Sequence, residues 1–185
     1  MTGRHERIEE KPTNVALPIQ AEGEDGDCGD FGIRIARDGT WYYEGSPIAR
    51  LAIARLFATV LKRDAQGVYW LETPVEKGRV EVDDVPFLAV ELAVSGHDRH
   101  QGLRFRTNMD EWVQAGPDHP LRVAEDPKTR QPTPYLLVRD GLEARITRSV
   151  YYELVDLGVE EGAGLDAALG VWSDDAFFPL GTFAE

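Results

Sequence analysis

Residues 37–50 read RDGTWYYEGSPIAR, and residues 139–148 read RDGLEARITR. Both stretches join an Arg-Asp-Gly turn to an Ile-x-Arg sequence, and an apolar pair follows at a matching offset, Leu56-Phe57 in the first copy and Leu154-Val155 in the second. The gap between the turn and the Ile-x-Arg is shorter in the second copy, so the repeat is imperfect. Asp-Gly between apolar runs is a strong hairpin signal. Each copy therefore predicts a strand, a turn, a second strand and a helix.

The first predicted helix begins at Ser46-Pro47, because serine can cap free amide groups and proline suits the first helical turn. One side of this helix is apolar and is expected to face the core. Its members are Ile48, Leu51, Ala52, Leu56, Phe57 and Val60. The opposite side carries Arg55, Thr59, Lys62 and Arg63.

The predicted fold class is α+β, with duplicated strand-turn-strand-helix units and antiparallel sheets. A unit of this kind cannot bury its apolar face alone, so we expect the two copies to pack together. The expected divisions are a flexible acidic tail over residues 1–27, a first α+β subdomain over 28–94 and a second over 95–185. Two similar units create a groove between them, and such junctions are preferred ligand sites.

Composition limits the choice of partners. The chain of 185 residues has 20 basic and 33 acidic side chains, and its formal net charge of −13 repels nucleic acids and anionic membranes. We therefore expect neither as a partner, although a local basic pocket for a small anion stays open. Charges at the amino terminus interrupt the apolar stretch that a signal peptide needs. No apolar run approaches the roughly 20 residues of a membrane-spanning helix. Cys28 is the only cysteine, so no disulfide can form within the chain. These features predict a cytoplasmic protein.

A polar segment, Thr73-Pro74-Val75-Glu76-Lys77-Gly78, separates two predicted strands. Thr73 and Lys77 are suited to hold an anionic or hydroxylated ligand, with Glu76 orienting the lysine or accepting a ligand hydroxyl. The alternative is a turn with a solvated Glu–Lys pair, which contributes less than about 1 kcal/mol.

Arg50 and Arg148 occupy equivalent places near the starts of the two predicted helices. The planar guanidinium group suits carboxylate or phosphate, so the two arginines are candidates to clamp one anion across the junction. The alternative is that each arginine ties its own helix to a neighbouring acidic side chain.

Other polar groups carry weaker functional signals. His97 and His100 lie in a polar loop without the three or four converging ligands that zinc needs, so we expect no metal site. Cys28 is expected to be a buried structural thiol, and it could act as a nucleophile only with a base positioned to ionise it. Glu76 with His119 is the candidate pair for a hydrolase, but no nucleophile–base pair supports catalysis. We therefore assign no catalytic residue and no cofactor, and we favour binding over catalysis.

From Cys28 onward, nearly the whole chain resembles a bacterial family catalogued as domain of unknown function 1285. The matching motifs include Arg37-Asp38-Gly39-Thr40-Trp41, Gly45-Ser46-Pro47-Ile48-x-Arg50, Thr73-Pro74-Val75-Glu76-Lys77, Val82-x-Asp84-x-Pro86-Phe87, Leu103-Arg104-Phe105-Arg106-Thr107-Asn108 and Tyr151-Tyr152-Glu153-Leu154. The resemblance implies an α+β fold with domain duplication and a second half similar to a pleckstrin-homology fold. It also implies a site for a nucleotide or nucleotide-derived ligand between the two halves, and a role in signalling.

The preferred hypothesis is a cytoplasmic, signalling-type module that binds a small anionic ligand between the duplicated halves. In this hypothesis Arg50, Lys77 and Arg148 meet the ligand charge, Thr73, Glu76 and Asn108 set its orientation, and Trp41 or Tyr152 covers an apolar face. The alternative is an interaction module that binds a protein partner through a strand edge or through the aromatic carboxyl end at Phe177-Phe178.

Overall fold

The computed structural model describes residues 29–126, 131–162 and 167–182. The first half is a six-stranded sheet with one helix, and its strand order is β3-β2-β1-β6-β5-β4. The elements are β1 (Gly29–Ile35), β2 (Trp41–Tyr43), β3 (Ser46–Pro47), α1 (Leu51–Val60), β4 (Leu61–Arg63), β5 (Tyr69–Glu72) and β6 (Lys77–Val82). The predicted hairpin joins β1 to β2, and Gly39 in its turn has a φ of +83°, which side chains rarely allow.

The second half contains another six-stranded sheet, ordered β10-β11-β12-β7-β8-β9, and a small sheet of three strands. The large sheet and its helix consist of β7 (Phe87–Ser95), β8 (Gly102–Thr107), β9 (Trp112–Gln114), β10 (Leu121–Glu125), β11 (Pro132–Arg139), β12 (Leu142–Ile146) and α2 (Arg148–Asp156). The small sheet consists of β13 (Val159–Glu161), β14 (Ala168–Ser173) and β15 (Ala176–Thr182). A short 3-10 helix, Asp98–His100, precedes β8.

The α+β class is confirmed, but the expectation of antiparallel sheets is wrong for one pairing in each large sheet. β1 pairs with β6 in parallel, and β7 pairs with β12 in parallel, so both sheets are mixed. Hairpin signals specify only strands that are neighbours in sequence, whereas parallel strands need a long crossover connection. Local patterns therefore did not encode these two pairings.

The change from the first large sheet to the second falls in residues 83–86, between β6 and β7. β7 pairs with β8 and β12, so residues 87–94 belong to the second sheet, whereas the sequence analysis grouped them with the first subdomain. An apolar run of this length indicates a strand but does not show which sheet the strand joins.

Helix α1 begins at Leu51, whereas the sequence predicted its start at Ser46-Pro47, which forms β3. Of its three buried residues, only Phe57 belongs to the predicted apolar stripe. Ala54, Phe57 and Ala58 are buried, while Leu51 and Leu56 of the predicted stripe are 44% and 55% exposed. Alanines let the helix backbone approach the sheet closely, whereas Leu51 and Leu56 face outward. Periodicity alone did not distinguish these two apolar faces.

Helix α2 is oriented differently from α1. Leu154, at the repeat position equivalent to Leu56, is completely buried together with Val150. The outward side of α2 is polar and includes Ser149 and Glu153. Within the described part of the chain, no helix has the length and apolar character needed to cross a membrane.

The small sheet packs on the second large sheet through a buried serine. The Ser173 hydroxyl donates to the Ala115 carbonyl at 2.6 Å and accepts from the Leu103 amide at 2.9 Å. Phe178 belongs to the same continuous core as residues of both large sheets. The aromatic carboxyl end is thus partly built into the body of the protein.

Candidate functional site

A cleft of about 290 Å³ lies beside the start of α2. Its walls come from the first residues of β11 and the residue before it, the end of β12 and the first turns of α2. The lining residues are Gln131, Pro132, Thr133, Pro134, Arg145, Ile146, Arg148, Tyr151 and Tyr152. We call it the α2 cleft. Within the described ranges no acidic residue lines it, so its formal charge comes from two arginines.

Arg148 is the first residue of α2, and its guanidinium is exposed. Its Nη2 donates to Oε1 of Gln131 at 3.1 Å. This partner is an uncharged amide, so the contact does not neutralise the arginine. Thr147, which precedes the helix, makes no capping hydrogen bond with its side chain. The positive end of the helix dipole therefore adds to the potential that an anion would meet here.

Arg145 enters the cleft from β12, where it alternates with the buried residues Ala144 and Ile146. Its Nη2 donates to the backbone carbonyl of Arg37, and its Nε lies 3.4 Å from Oδ2 of Asp84. Arg37 belongs to the first half and Asp84 to the connection between the halves. Arg145 thus touches the cleft and the junction together.

Two tyrosines supply the aromatic part of the cleft. Tyr151 is half-buried, and burial raises the pKa of its phenol. Tyr152 is 58% exposed. Aromatic faces beside guanidinium groups suit a flat ligand that also carries negative charge.

A second cavity of about 350 Å³, the junction cavity, lies between the halves and shares Thr133 with the α2 cleft. The other lining residues are Arg37, Asp83, Asp84, Arg122, Ala124, Glu125, Asp126 and Tyr135. Its arginines are paired with carboxylates: Arg37 Nη2 donates to Asp126 at 2.7 Å, and Arg122 donates to both oxygens of Glu143 at 2.6 and 2.7 Å. The Arg37–Asp126 pair connects the halves, and the Arg122–Glu143 pair lies within the second large sheet. Both arginines of the cavity are thus paired with carboxylates.

The Tyr135 hydroxyl donates to Oδ1 of Asp84 at 3.0 Å. Burial, with the negative charge of Asp84 next in size, raises the pKa of Tyr135 to about 12. The pKa of a tyrosine in the unfolded chain is about 10. The contribution of this pKa shift to the free energy of unfolding is therefore fully present below about pH 10, and it is lost as the pH rises through the pKa of Tyr135 in the folded protein.

We expect Tyr135→Phe to remove a late tyrosinate component, near pH 12, from a spectrophotometric titration. The variant should also show a shallower loss of stability than the parent chain across the same pH window. Tyr152→Phe, which changes an exposed tyrosine, is the control and should keep the late component. An unchanged titration in Tyr135→Phe would contradict the assignment.

Two of the eight predicted ligand-binding residues, Arg148 and Tyr152, meet in the α2 cleft. Arg50 precedes α1 and is exposed, and its side chain makes no hydrogen bond or ion pair with the described residues. Trp41 is 2% exposed and stacks on Phe57 in the core, with ring centroids 6.5 Å apart. Neither Arg50 nor Trp41 lines the α2 cleft.

Thr73, Glu76 and Lys77 lie together at the β5–β6 turn. The Thr73 hydroxyl accepts from the Glu76 amide at 3.0 Å and donates to the Glu76 carbonyl at 3.2 Å, so the turn is closed by its own hydrogen bonds. Lys77 Nζ lies 3.6 Å from Oε2 of Glu72 and 4.9 Å from the ring centre of Trp70. The lysine thus pairs with Glu72, whereas the sequence analysis paired it with Glu76.

Asn108 connects the two halves. Its Oδ1 accepts from the Leu88 amide at 3.0 Å, and its Nδ2 donates to the Gly39 carbonyl at 3.4 Å. The side chain thus holds the first hairpin turn against β7, and its amide is engaged at both ends.

Seven lining residues were outside the sequence-based set, and four of them have polar side chains, namely Gln131, Thr133, Arg145 and Tyr151. Alternation along β12 indicates that Arg145 points away from its buried neighbours. The sequence does not show that the chain entering β11 faces the same space, because that contact depends on tertiary packing.

The remaining polar candidates lie apart from the cleft. His97 and His100 are exposed, with Nδ1 atoms 3.1 Å from Asp98 and 2.8 Å from Asp175, respectively. The described residues contain no group of three or more His, Cys, Asp or Glu side chains placed to hold a metal ion. His119 Nδ1 lies 3.2 Å from the Leu137 carbonyl. Cys28 and the tail lie outside the described residues.

Family models match both parts of the chain. Residues 19–85 match the N-terminal domain of DUF1285, described as a domain of unknown function, and residues 86–180 match the C-terminal domain of DUF1285, described as a protein of unknown function. The boundary between the models falls in the connection between β6 and β7. A comparison with curated proteins finds no match.

Two solved structures are similar to the chain. A DUF1285 family protein from Silicibacter pomeroyi DSS-3 is 49% identical, with 84% of this chain and 82% of that chain covered and a TM-score of 0.79. A DUF1285 family protein from Shewanella baltica OS155 is 28% identical, with 68% of this chain and 91% of that chain covered and a TM-score of 0.55. The matched models and the 49% identity together show that this chain belongs to the DUF1285 family.

Proposed function

We propose that this protein binds a small anionic ligand, a nucleotide or nucleotide-derived molecule, in the α2 cleft. It acts in the cytoplasm as a signalling-type binding protein. The site lies beside the junction of the two halves, because Arg145 lines the cleft and contacts the first half. The observation that carries the proposal is a pair of guanidinium groups and a pair of tyrosine rings around one cleft in a chain of net charge −13.

Charge complementarity supports an anionic ligand. Arg148 and Arg145 can donate charge-assisted hydrogen bonds, which are about twice as strong as neutral ones. Phosphate oxygens fit the planar guanidinium donors, and the start of α2 favours negative charge as well.

The size and walls of the cleft support a small ligand with a flat part. Ligand pockets start at about 300 Å³, which is close to the volume of this cleft. Tyr151 and Tyr152 offer ring faces on which a base can stack, and base stacking on an aromatic side chain contributes about 1–3 kcal/mol. A nucleotide combines the two required features, a phosphate and a planar ring.

The signalling role and a pleckstrin-homology-like second half are parts of the same proposal. The second half has an antiparallel β7–β8–β9 meander, and α2 follows β12, the last strand of the large sheet in chain order. With the ligand bound between α2 and the large sheet, α2 would be the element that responds to ligand binding in the cleft.

The test is a calorimetric titration with ADP. We expect Arg148→Gln to weaken ADP binding by about 10- to 100-fold, because it removes a charged hydrogen-bond donor. Arg50→Gln is the matched control, since it removes the same charge at the equivalent position of the other helix and should leave the affinity nearly unchanged. Equal affinities of the parent chain and Arg148→Gln for ADP would contradict the proposal.

A protein-interaction role is the second candidate, and the outer side of α1 favours it. Leu51, Ile53 and Leu56 are exposed there, and residues 45–63 contain four basic and no acidic side chains. Exposed apolar patches commonly mark binding surfaces. Leu56→Gln separates the two candidates, because it would release a partner held by this side of α1 without changing ADP affinity.

A further inference from the structure

We propose that Arg145 couples the α2 cleft to the first half of the molecule, so that ligand binding and the contact between the halves strengthen each other. This inference rests on the proposed function, since it describes how the same cleft is regulated. Arg145 is then a positioning and binding residue whose orientation depends on groups outside the cleft.

The guanidinium of Arg145 is divided between two environments. Its Nε faces Asp84 and its Nη2 donates to the Arg37 carbonyl, so one edge of the planar group is held by the junction. Its Nη1 makes no hydrogen bond with the described residues, and the side chain lines the α2 cleft. The junction therefore fixes the plane of the guanidinium, and the plane sets where the remaining donor points.

Asp84 is well placed to control this orientation. Its side chain is 19% exposed and does not line the α2 cleft. Its Oδ1 accepts from Tyr135, while its Oδ2 is buried without a hydrogen bond and lies 3.4 Å from Arg145 Nε and 3.8 Å from Arg37 Nε. The carboxylate is thus held by the tyrosine on one side and attracts both arginines on the other.

The coupling works in both directions. An anion that binds Arg145 in this orientation favours the arrangement in which Arg37 and Asp84 hold the arginine. By linkage, the same arrangement raises the affinity for the anion. The energy comes from preorganisation, because an arginine already oriented loses less freedom when the ligand binds.

Replacing Asp84 tests the coupling, because coupling and simple electrostatics predict opposite changes in the affinity for the anion. Removing a negative charge near an anion site strengthens anion binding if only Coulomb interactions matter. If Asp84 orients Arg145, then Asp84→Asn weakens binding instead, since the amide can still accept from Tyr135 but no longer attracts the arginine as a carboxylate does.

Asp83→Asn is the matched control. Asp83 is the neighbouring residue, lines the same junction cavity and accepts two hydrogen bonds from the Arg34 side chain. It also accepts a 3.3 Å hydrogen bond from the Arg37 amide, which the side-chain oxygen of asparagine can still accept. Its replacement removes the same charge without removing a contact of Arg145. ADP is the probe in each titration, with circular dichroism used to verify that the variants are folded.

We expect Asp84→Asn to weaken ADP binding by about tenfold, and Asp83→Asn to leave it equal or slightly tighter. In an Arg145→Lys background, Asp84→Asn should add little further loss, as a double-mutant cycle between coupled residues requires. ADP bound equally or more tightly by folded Asp84→Asn would overturn the coupling and leave the proposed function standing. No binding of ADP by the parent chain would overturn both.

A second measurement needs no Asp84 variant. ADP should slow amide hydrogen exchange across residues 36–40 of the parent chain, because this hairpin turn of the first half contains the Arg37 carbonyl that Arg145 binds. Protection confined to the second half would contradict the coupling even if ADP binds.

Discussion

Leu154→Ala is expected to lower the free energy of unfolding by about 3–5 kcal/mol, whereas Leu56→Ala should lower it by less than about 1 kcal/mol. The two leucines occupy equivalent places in the repeat, yet Leu154 is fully buried and Leu56 is 55% exposed. Truncation at Leu154 removes apolar contacts and leaves a cavity between α2 and its sheet. Truncation at Leu56 removes a side chain that is largely in water.

Urea unfolding of both variants checks this expectation, with the slope of the transition used to verify a common unfolded state. The pair is its own control, because the chemical change is the same. Similar losses at the two positions would contradict the different orientations of α1 and α2.

Ser173→Ala is the second change with a large expected effect on stability. The buried hydroxyl of Ser173 forms hydrogen bonds with the Leu103 amide, in β8, and with the carbonyl of Ala115, which directly follows β9. Alanine leaves both backbone groups without this partner, and each unpaired buried group costs about 1–3 kcal/mol. We therefore expect a large decrease in the free energy of unfolding, although only one oxygen atom is removed.

Thermal and urea unfolding measure the loss, with Ser46→Ala as the control. Ser46 is exposed in β3, and its replacement should change the free energy of unfolding by no more than about 0.5 kcal/mol. If Ser173→Ala unfolds like its parent, the serine does not tie the small sheet to the large one.

The sequence predicted the elements of the fold better than their packing. The Asp-Gly turns were readable because they depend on local chemistry, namely positive φ at Gly39. The existence of the two helices followed from apolar periodicity. The predicted start of the first helix was wrong, because Ser46-Pro47 forms β3 and α1 begins at Leu51 without a side-chain cap. The buried side of α1 was predicted only at Phe57, since Ala54 and Ala58 are less hydrophobic than the leucines beside them. Close backbone approach selected the small residues, and that choice depends on the facing sheet.

The candidate site was predicted in part for a similar reason. The equivalent positions in the repeat drew attention to Arg148, and Tyr152 lies one helical turn further on. Arg145 was missed, because only the folded junction brings Asp84 and Arg37 to it. Local sequence also gave no sign that Asn108 would use both ends of its amide to connect the halves.

The most direct test of the central claim is amide hydrogen exchange of the parent chain with and without ADP. The claim is that the α2 cleft is the anion site, and it predicts protection in peptides that cover residues 131–134 and 145–152. Protection confined to residues 73–77 or to α1, or no change at saturating ADP, would contradict it.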